Sequence, residues 1–237
     1  MSNVERYFSQ IVMPEIGLMG QQKIQAAKII VVGAGGLGCP VITYLAGMGI
    51  GCIGIVDDDI VTLQNLHRQV LYNETEIGQY KTAVAKQKLL QHNSTIIVNT
   101  YTERLTEKNA IEIISKYDIV IDCSDNVATR YIIDAVTKKL KKPFVYGAVK
   151  QLEGQVSVFN YNNGPSYRNL FPDETIFAFE NDCTASGIVG FVTGAIGCMQ
   201  VNEAMKIILE NGNVLSGEVM CADFKSMRFR NLKIKGS

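Results

Sequence analysis

A short apolar run that leads into a glycine-rich turn constrains the fold of this chain more than any other feature. The run AKIIVV covers residues 27–32, the turn GAGGLG covers 33–38, and a helical pattern with Pro40 in its first turn follows. Proline is tolerated there because its missing N–H would have no partner inside the helix. A strand, a tight turn and a helix in this order begin a βαβ unit. The sequence therefore predicts a buried strand that enters a helix through residues 33–38.

The alternation of strand and helix continues to residue 150. Apolar runs typical of buried strands lie at 51–56, 96–103, 117–123 and 142–149, and helical patterns lie at 39–49, 81–92, 106–116 and 126–140. Strands that alternate with helices in this way form a parallel sheet with helices on both faces.

The pattern changes after residue 150. Residues 154–161, 217–224 and 227–234 alternate between apolar and polar side chains, which is typical of antiparallel strands with one wetter face. A loop at 162–185 and an apolar helix near 187–210 lie between them. We therefore predict an α/β fold with a Rossmann-like, doubly wound sheet, in which antiparallel C-terminal strands extend a parallel first half.

The composition excludes several classes of protein. The chain has 237 residues, 47% of them hydrophobic, and its 23 basic residues balance its 23 acidic ones. A disordered chain would have less apolar material and more charge. A broad nucleic-acid surface is not expected either, because such surfaces carry a basic excess.

The cysteines and the hydropathy pattern indicate a compartment. None of the six cysteines forms a CxxC pair, so we expect reduced thiols and neither a disulfide framework nor a cysteine zinc site. The first ten residues lack a signal-peptide pattern. The longest uncharged apolar stretch, 187–201, is short for a membrane span. We expect a cytoplasmic protein with no membrane partner.

The turn itself has the spacing of a phosphate-binding loop. Gly33, Gly35 and Gly38 satisfy GxGxxG directly after a strand, where glycine lets backbone N–H groups approach phosphate oxygens at a helix N-terminus. Asp57 ends the next predicted strand, where a carboxylate can accept hydrogen bonds from ribose hydroxyls. The alternative is a purely structural tight turn. The motif indicates a nucleotide but does not distinguish NAD from ATP.

Charged residues follow the second strand, at the sheet edge where open α/β folds bind ligands. Arg68 can bind a phosphate through two parallel hydrogen bonds, and Lys81 can act as a point charge beside it. Asn65 can bind a phosphate or orient Arg68. A nucleotidyl-transfer enzyme needs such cations because charge builds up on phosphoryl oxygens and on leaving pyrophosphate. The alternative for each cation is a solvated surface position.

The fourth strand is followed by Asp125 and Asn126. A carboxylate at this position, facing a triphosphate, is a good Mg²⁺ ligand. The alternative role for Asp125 is the N-cap of the helix that begins near Asn126.

Taken together, these motifs resemble those of the ThiF/MoeB/HesA group, relatives of the ubiquitin-activating enzymes. The resemblance spans nearly the whole chain. It is carried by RYxxQ at 6–10, GAGGLG at 33–38, DDDxVxxxNLxRQ at 57–69, GQYK at 78–81, DCSDN at 122–126, EGQVSVF at 153–159 and CTASGIVG at 183–190.

The resemblance implies an ATP-dependent adenylyltransferase. Its substrate would be the C-terminal Gly-Gly carboxylate of a small ubiquitin-like sulfur carrier, similar to ThiS or MoaD, in thiamine or molybdopterin biosynthesis. Mg-ATP would supply the adenylyl group, and Asp125 corresponds to the metal-binding acid. The motifs and the resemblance together predict catalytic roles for Arg68, Lys81, Asp125 and Cys183, and nucleotide contacts from Gly33, Gly35, Gly36, Asp57, Asp59, Asn65, Arg68, Gln69, Lys81, Asp125 and Asn126.

The resemblance also implies an organisation. We expect a single adenylation domain over 1–237, with an N-terminal helical segment at 1–26, a nucleotide-binding half at 27–150 and a carrier-binding, antiparallel half at 151–237. Family members are homodimers in which the N-terminal segment reaches the partner's site, so we expect a homodimer.

The chain departs from the family pattern in two places. Family members commonly have RYxRQ, whose second Arg crosses to the neighbouring ATP, but this chain has Ser9 there. Losing one cation beside a triphosphate would cost transition-state stabilisation. Many members also carry two CxxC pairs for zinc. Here Ser166 and Asn169 stand at the first pair and the C-terminus lacks a second, so we expect no zinc.

Cys183 is the position where some relatives form a thioester or acyl-disulfide with the carrier. It lies in a polar loop, and a helix near Gly187 could lower the pKa of its thiol. The alternative is an unreactive loop cysteine.

Other functions remain open from the sequence. A nicotinamide-dependent Rossmann oxidoreductase shares the glycine turn and Asp57, but the chain offers no convincing proton donor for hydride transfer. A non-catalytic, carrier-binding scaffold of the same family is motivated by Ser9. A tRNA-modifying dehydratase of the family fits the neutral charge and the RYxxQ start less well.

Overall fold

The computed structural model describes residues 3–172 and 187–234. Within those ranges the strands are β1 (Lys28–Val32), β2 (Cys52–Val56), β3 (Ile97–Tyr101), β4 (Ile119–Asp122), β5 (Phe144–Lys150), β6 (Glu153–Phe159), β7 (Glu218–Asp223) and β8 (Arg228–Lys233). The helices are α1 (Asn3–Arg6), α2 (Phe8–Ile11), α3 (Gly17–Ala26), α4 (Gly38–Met48), α5 (Lys81–His92), α6 (Ala110–Ile114), α7 (Val127–Leu140), α8 (Tyr167–Leu170) and α9 (Gly190–Leu209).

All the described strands belong to one sheet, in the order β3-β2-β1-β4-β5-β6-β7-β8. The five strands from β3 to β5 pair in parallel. β6, β7 and β8 add to the edge of β5 in antiparallel pairs. The predicted fold class is confirmed, including the change of strand direction after residue 150.

Helices cover both faces of the sheet because successive strand residues point to opposite sides. Ile29 and Val31 of β1 belong to one apolar core, which α4, α5 and α9 complete. Ile30 and Val32 belong to a second core on the opposite face, with α6, α7 and α8. Double burial explains why these strands read as continuous apolar runs rather than alternating ones.

The expectation of one wetter face is wrong for β6, which is covered on both faces, and for β8, which is exposed on both faces. Val156 and Val158 of β6 pack in the first core, while Phe159 lies among aromatic rings of the second. β6 is covered on both sides because α9 crosses one face and α7 and α8 close the other. β8, at the edge, is exposed along its whole length.

Two predicted segment boundaries also differ. The helix expected at 106–116 is only Ala110–Ile114, because the Asn109 side chain accepts a hydrogen bond from the backbone N–H of Thr106 at 2.7 Å and holds a turn there. The loop expected from residue 162 contains α8, which Ser166 and Asn169 close as a capping box. None of the described helices has the length and apolar character needed to span a membrane.

Candidate functional site

A cavity of about 650 Å³ opens at the carboxyl ends of β1, β2 and β4. This is the switch point of the sheet, where chain connections leave β1 and β4 in opposite directions. The cavity is lined by every predicted nucleotide-contact residue: Gly33, Gly35, Gly36, Asp57, Asp59, Asn65, Arg68, Gln69, Lys81, Asp125 and Asn126. Residues spread over almost a hundred positions therefore meet at one edge of the sheet.

The glycine turn requires glycine at two positions. Gly33 has φ of +98°, and a Cβ there would lie 2.5 Å from the carbonyl oxygen of Cys123. A Cβ on Gly38 would collide with the carbonyl oxygen of Gly33. Glycine lets β1 turn at once into α4, whose first N–H groups have no partner within the helix and carry partial positive charge. The turn thus presents an anion-binding helix end to the cavity.

Asp57 is held by two backbone N–H groups, one in the glycine turn and one in the loop that follows β2. One carboxylate oxygen accepts a hydrogen bond from Ala34 N–H at 2.7 Å, and the other accepts one from Asp59 N–H at 2.8 Å. Burial raises the pKa of Asp57, while nearby Lys81 and these two hydrogen bonds oppose that rise. Each carboxylate oxygen keeps a second acceptor site, so Asp57 can still bind a sugar hydroxyl.

Lys81 and Asp59 form an ion pair of very unequal exposure. The Lys81 ammonium lies 2.7 Å from an Asp59 carboxylate oxygen, and the side chains are 3% and 67% exposed respectively. The backbone supports this pair, since Lys81 N–H donates to the Asp59 carbonyl at 3.0 Å. Asp59 therefore contacts Lys81 directly, which the sequence did not predict.

Arg68 is oriented by its own loop. Its guanidinium donates to the Asn65 side-chain oxygen at 2.7 Å and lies 2.8 Å from Nε2 of His67. A single 3₁₀ turn, Leu63–Asn65, places Asn65 one turn before Arg68. Of the two roles considered for Asn65, the structure shows it orienting Arg68. Neither contact is with a carboxylate, so the cation keeps its charge available for an anion.

Asp125 and Asn126 divide the two roles that the sequence left open. The N-cap of α7 is Asn126, whose side chain accepts from Thr129 N–H at 2.9 Å. Asp125 is exposed and lines the cavity. Since Mg²⁺ is commonly held by one or two carboxylates together with substrate phosphates, an exposed carboxylate facing this cavity fits that ion.

The side chain of Gln69 indicates which kind of ligand the cavity can bind. Its side chain is 4% exposed, and its oxygen has no hydrogen-bond partner. A buried unsatisfied acceptor is costly, so a donor from a ligand or ordered water would satisfy it. A buried acceptor in this position fits a polar ligand that carries a hydrogen-bond donor.

Sequence reasoning missed a buried ion pair behind the cavity. Asp122, at the end of β4, is fully buried, and its carboxylate lies 3.5 Å from Nε of Arg130. Arg130 lines the cavity and its guanidinium stacks over the ring of Tyr146 at 5.3 Å. Burial raises the pKa of Asp122, and Arg130 opposes that rise. The available signals were an acid at the end of an apolar run and an Arg in the first turn of the helix that follows.

Two further residues line the cavity although they lie outside the predicted motifs. Arg104 lies in the loop after β3 and pairs with Asp58 at 3.8 Å. Thr193 of α9 packs against Gly36, where an added Cβ would approach its hydroxyl oxygen at 3.3 Å. Helix α9 thereby contributes to a site that the sequence placed in residues 27–150.

The RYxxQ segment packs on its own chain. Tyr7 is buried and accepts a hydrogen bond from the Asn93 side chain at 2.8 Å, while Arg6 donates to the carbonyl of His92 at 3.3 Å. Gln10 lies 3.5 Å from the carbonyl of Met48. Ser9 is exposed. The motif therefore anchors the N-terminal helices, while Ser9, the position that departs from the family pattern, lies at the surface.

The cysteines differ in their surroundings. Cys183 lies outside the described residues, as do its neighbours at 173–186. All five described cysteines are free, and burial raises the pKa of the Cys39 thiol to about 12. Cys198, which lies in the uncharged apolar stretch 187–201, is exposed on α9.

The doubly wound sheet and the polar cavity at its switch point define a Rossmann-like α/β protein. The model of the ThiF family matches residues 7–237. The chain belongs to the ThiF family.

Curated relatives cover the same region. The chain is 48% identical over 235 residues to "Adenylyltransferase and sulfurtransferase MOCS3" of Culex quinquefasciatus, a match that covers 99% of this chain and 54% of the relative. It is 46% identical over 230 residues to the "Probable molybdopterin-synthase adenylyltransferase" of Porphyra purpurea, covering 97% of this chain and 60% of the relative. The chain thus spans little more than half the length of these relatives.

Solved structures share the fold at low sequence identity. MccB of E. coli, in its structure with MccA-N7isoASN, superposes with a TM-score of 0.86 at 19% identity, covering 100% of this chain and 73% of that one. PaaA superposes with a TM-score of 0.85 at 22% identity, covering 99% and 75%.

Proposed function

We propose that this chain is an adenylyltransferase that activates the C-terminal carboxylate of a small sulfur carrier. The observation that carries the proposal is the shared cavity: Arg68, Lys81 and Asp125 line the same space as the glycine turn. Membership of the ThiF family and the similarity to two relatives that are described as adenylyltransferases support the same reaction.

The proposed position of ATP follows from the fixed groups. The phosphates would lie on the turn at residues 33–38 and the N-terminus of α4, and the ribose would lie on Asp57. Those groups are rigid, since both oxygens of Asp57 are already held by backbone N–H groups. Rigid positioning is itself a large part of catalysis in phosphoryl and nucleotidyl transfer.

The proposed reaction needs no covalent bond to the protein. A carboxylate oxygen of the carrier attacks the α-phosphorus, the bond from that phosphorus to the bridging oxygen breaks, and pyrophosphate leaves with the electron pair. The products are an acyl-adenylate and pyrophosphate. Arg68 and Lys81 would stabilise the charge that builds up on the transferring and leaving oxygens.

Asp125 is the residue that would hold magnesium. When bound, Mg²⁺ supplies charge neutralisation to the polyphosphate. Asp125 is available to bind magnesium because Asn126, and not Asp125, is the N-cap of α7.

The carrier would bind the antiparallel half of the molecule. A groove of about 400 Å³ runs over β5 to β8, and it shares Arg130 and Val149 with the nucleotide cavity. A flexible tail ending in two glycines is narrow enough to pass along such a groove. We therefore keep the division of one domain, 1–237, into an N-terminal segment at 1–26, a nucleotide half at 27–150 and a carrier half at 151–237.

A homodimer is part of the proposal. Exposed apolar side chains on the N-terminal helices and on α4 support it, among them Phe8 and Tyr44, which are 59% and 55% exposed. The partner's N-terminal segment would then lie near the site. A covalent role for Cys183 also stays a proposal.

Molybdopterin biosynthesis is the pathway that we favour over thiamine biosynthesis. The support is the similarity to the Porphyra relative, which is described as a probable molybdopterin-synthase adenylyltransferase.

ATP–pyrophosphate exchange tests the proposed function. The wild-type chain should catalyse exchange of labelled pyrophosphate into ATP only when a sulfur carrier ending in Gly-Gly is present. Asp125→Ala should lower the exchange about a hundredfold or more. Glu112→Ala, which removes an exposed acid outside the cavity, should leave the rate unchanged. Absence of carrier-dependent exchange in the wild type, or full exchange in Asp125→Ala, would reject the proposal.

A second candidate function is a non-catalytic scaffold that binds the carrier. It is favoured by Ser9, which stands where family members commonly have an Arg. In that case the chain would bind both ATP and the carrier in calorimetry, yet show no exchange. Replacement Ser9→Arg would then be the sharpest follow-up, because gain of exchange would identify the missing cation as the cause.

A further inference from the structure

Arg104 and Asp58 form a pair at the rim of the cavity that the proposed reaction does not use. The Arg104 Nε lies 3.8 Å from an Asp58 carboxylate oxygen, and the two side chains are 71% and 49% exposed. Both residues line the cavity. At this distance and exposure the pair adds little stability, so separating it costs little.

Sheet order places this pair relative to a nucleotide. β2 lies between β1 and β3, so the loop after β3 lies on the opposite side of Asp57 from the glycine turn after β1. A nucleotide with its phosphates on the turn and its ribose on Asp57 would therefore extend its base toward the end of β3. Arg104 and Leu105 are the residues that follow there and line the cavity.

The chemistry of these two neighbours suits a flat aromatic ring. Leu105 is 3% exposed and supplies an apolar surface inside the cavity. The Arg104 guanidinium is planar, and a planar guanidinium stacks on aromatic faces. A ring between them would contact an apolar side chain on one face and a delocalised cation on the other.

We propose that Arg104 covers the adenine base of ATP, and that Asp58 holds Arg104 at the rim until the nucleotide binds. This inference rests on the proposed function, because it takes ATP as the ligand. It adds a base-contacting residue that none of the sequence motifs contains. In this role Arg104 determines nucleotide affinity and base selectivity, while the chemistry stays with Arg68 and Lys81.

The pair makes two opposite predictions for ATP binding. Arg104→Ala should weaken ATP binding about three- to tenfold, because the stacking contact is lost. Asp58→Asn should tighten ATP binding about two- to threefold, because Arg104 no longer has to leave an ion pair. Arg104→Lys should bind ATP nearly as weakly as Arg104→Ala, because an ammonium keeps the charge but lacks the planar surface of the guanidinium.

Lys108→Ala is the matched control. Lys108 is an exposed cation four residues after Arg104, and it does not line the cavity. The variant should bind ATP like the wild type.

Calorimetry with ATP, AMP and inorganic tripolyphosphate tests the inference without any carrier. Arg104→Ala should weaken ATP and AMP by the same factor and leave tripolyphosphate unchanged. Loss of tripolyphosphate binding in Arg104→Ala would overturn the inference by making Arg104 a phosphate contact. Unchanged ATP and AMP binding in that variant would overturn it too. If the wild type itself binds no ATP, the proposed function fails first, and that outcome is distinct from a failure confined to Arg104.

Discussion

The Lys81 ammonium is buried 2.7 Å from a carboxylate oxygen of Asp59, which is itself mostly open to solvent. A lysine at the start of a helix would ordinarily point to water, and here the partner carboxylate and the walls of the cavity hold it inside. Asp59 is in turn held by Asp57, which accepts from its N–H. The proposed ribose acid and the proposed phosphate cation thus belong to one connected network.

We expect Asp59→Asn to lower the exchange rate about tenfold while changing the KM for ATP little. The amide removes the charge that positions Lys81 but leaves the lysine in place. Lys81→Ala should lower the rate about a hundredfold or more. Steady-state exchange at varied ATP measures both effects. Lys88→Ala is the matched control, because Lys88 lies on the same helix as Lys81 and pairs with Glu76 outside the cavity. An equal loss in that variant would mean that the effect of Lys81 is one of stability.

The glycine turn predicts a stability difference between two Gly→Ala variants. Gly33→Ala should destabilise the chain by about 3 kcal/mol or more, since φ is +98° and a Cβ would meet the carbonyl of Cys123. Gly194→Ala, in α9 where an added Cβ would meet nothing within 4 Å, should stabilise it by up to about 1 kcal/mol. Urea unfolding compares them. Equal destabilisation by both substitutions would contradict this account of the turn.

Asp57 predicts a pH dependence of stability. Its folded pKa is raised above the ordinary value of 3.8 by burial. The folded state therefore keeps a proton that the unfolded state has lost, and stability falls as pH rises from 3.8 through the raised pKa. Asp57→Asn should lose this part of the slope. Urea unfolding of both proteins at a series of pH values measures it, and identical slopes would show that burial does not dominate.

The groove over β5 to β8 predicts that a substitution there changes the KM for the carrier but not the KM for ATP. Arg228 and Arg230 line it from β8, and Lys233 lies on the opposite face of that strand because side chains alternate. Arg230→Ala should raise the KM for the carrier severalfold and leave the KM for ATP unchanged. Lys233→Ala should change neither. An increase in the KM for ATP in Arg230→Ala would place Arg230 at the nucleotide instead.

The parts of the fold that depend on local pattern were predictable. Continuous Ile and Val runs gave β1, β2 and β4, because strands covered on both faces need apolar residues throughout. GxGxxG with Asp57 predicted one edge of the sheet as the site, because parallel strands place their carboxyl ends together. All eleven predicted nucleotide contacts line one cavity. The pairings within it were not predictable, since the contacts of Lys81 with Asp59 and of Arg104 with Asp58 depend on loop paths.

Residues outside the motifs were missed for a related reason. Arg130 and Thr193 reach the cavity only because α7 and α9 pack on opposite faces of the sheet, which no short window of sequence contains. The exposure of Cys198 has the same cause, since an apolar sequence neighbourhood does not specify which side of a helix is covered.

Helix α9 has a consequence for how the molecule can be divided. Its Gln200 donates to the carbonyl of Asp122 at 2.6 Å, and its Thr193 abuts Gly36. A fragment ending near residue 150 would leave the loop of Gly36 and the end of β4 unsupported, however complete its motifs. Splitting the gene at that point should give two pieces that recover ligand affinity only after they reassociate.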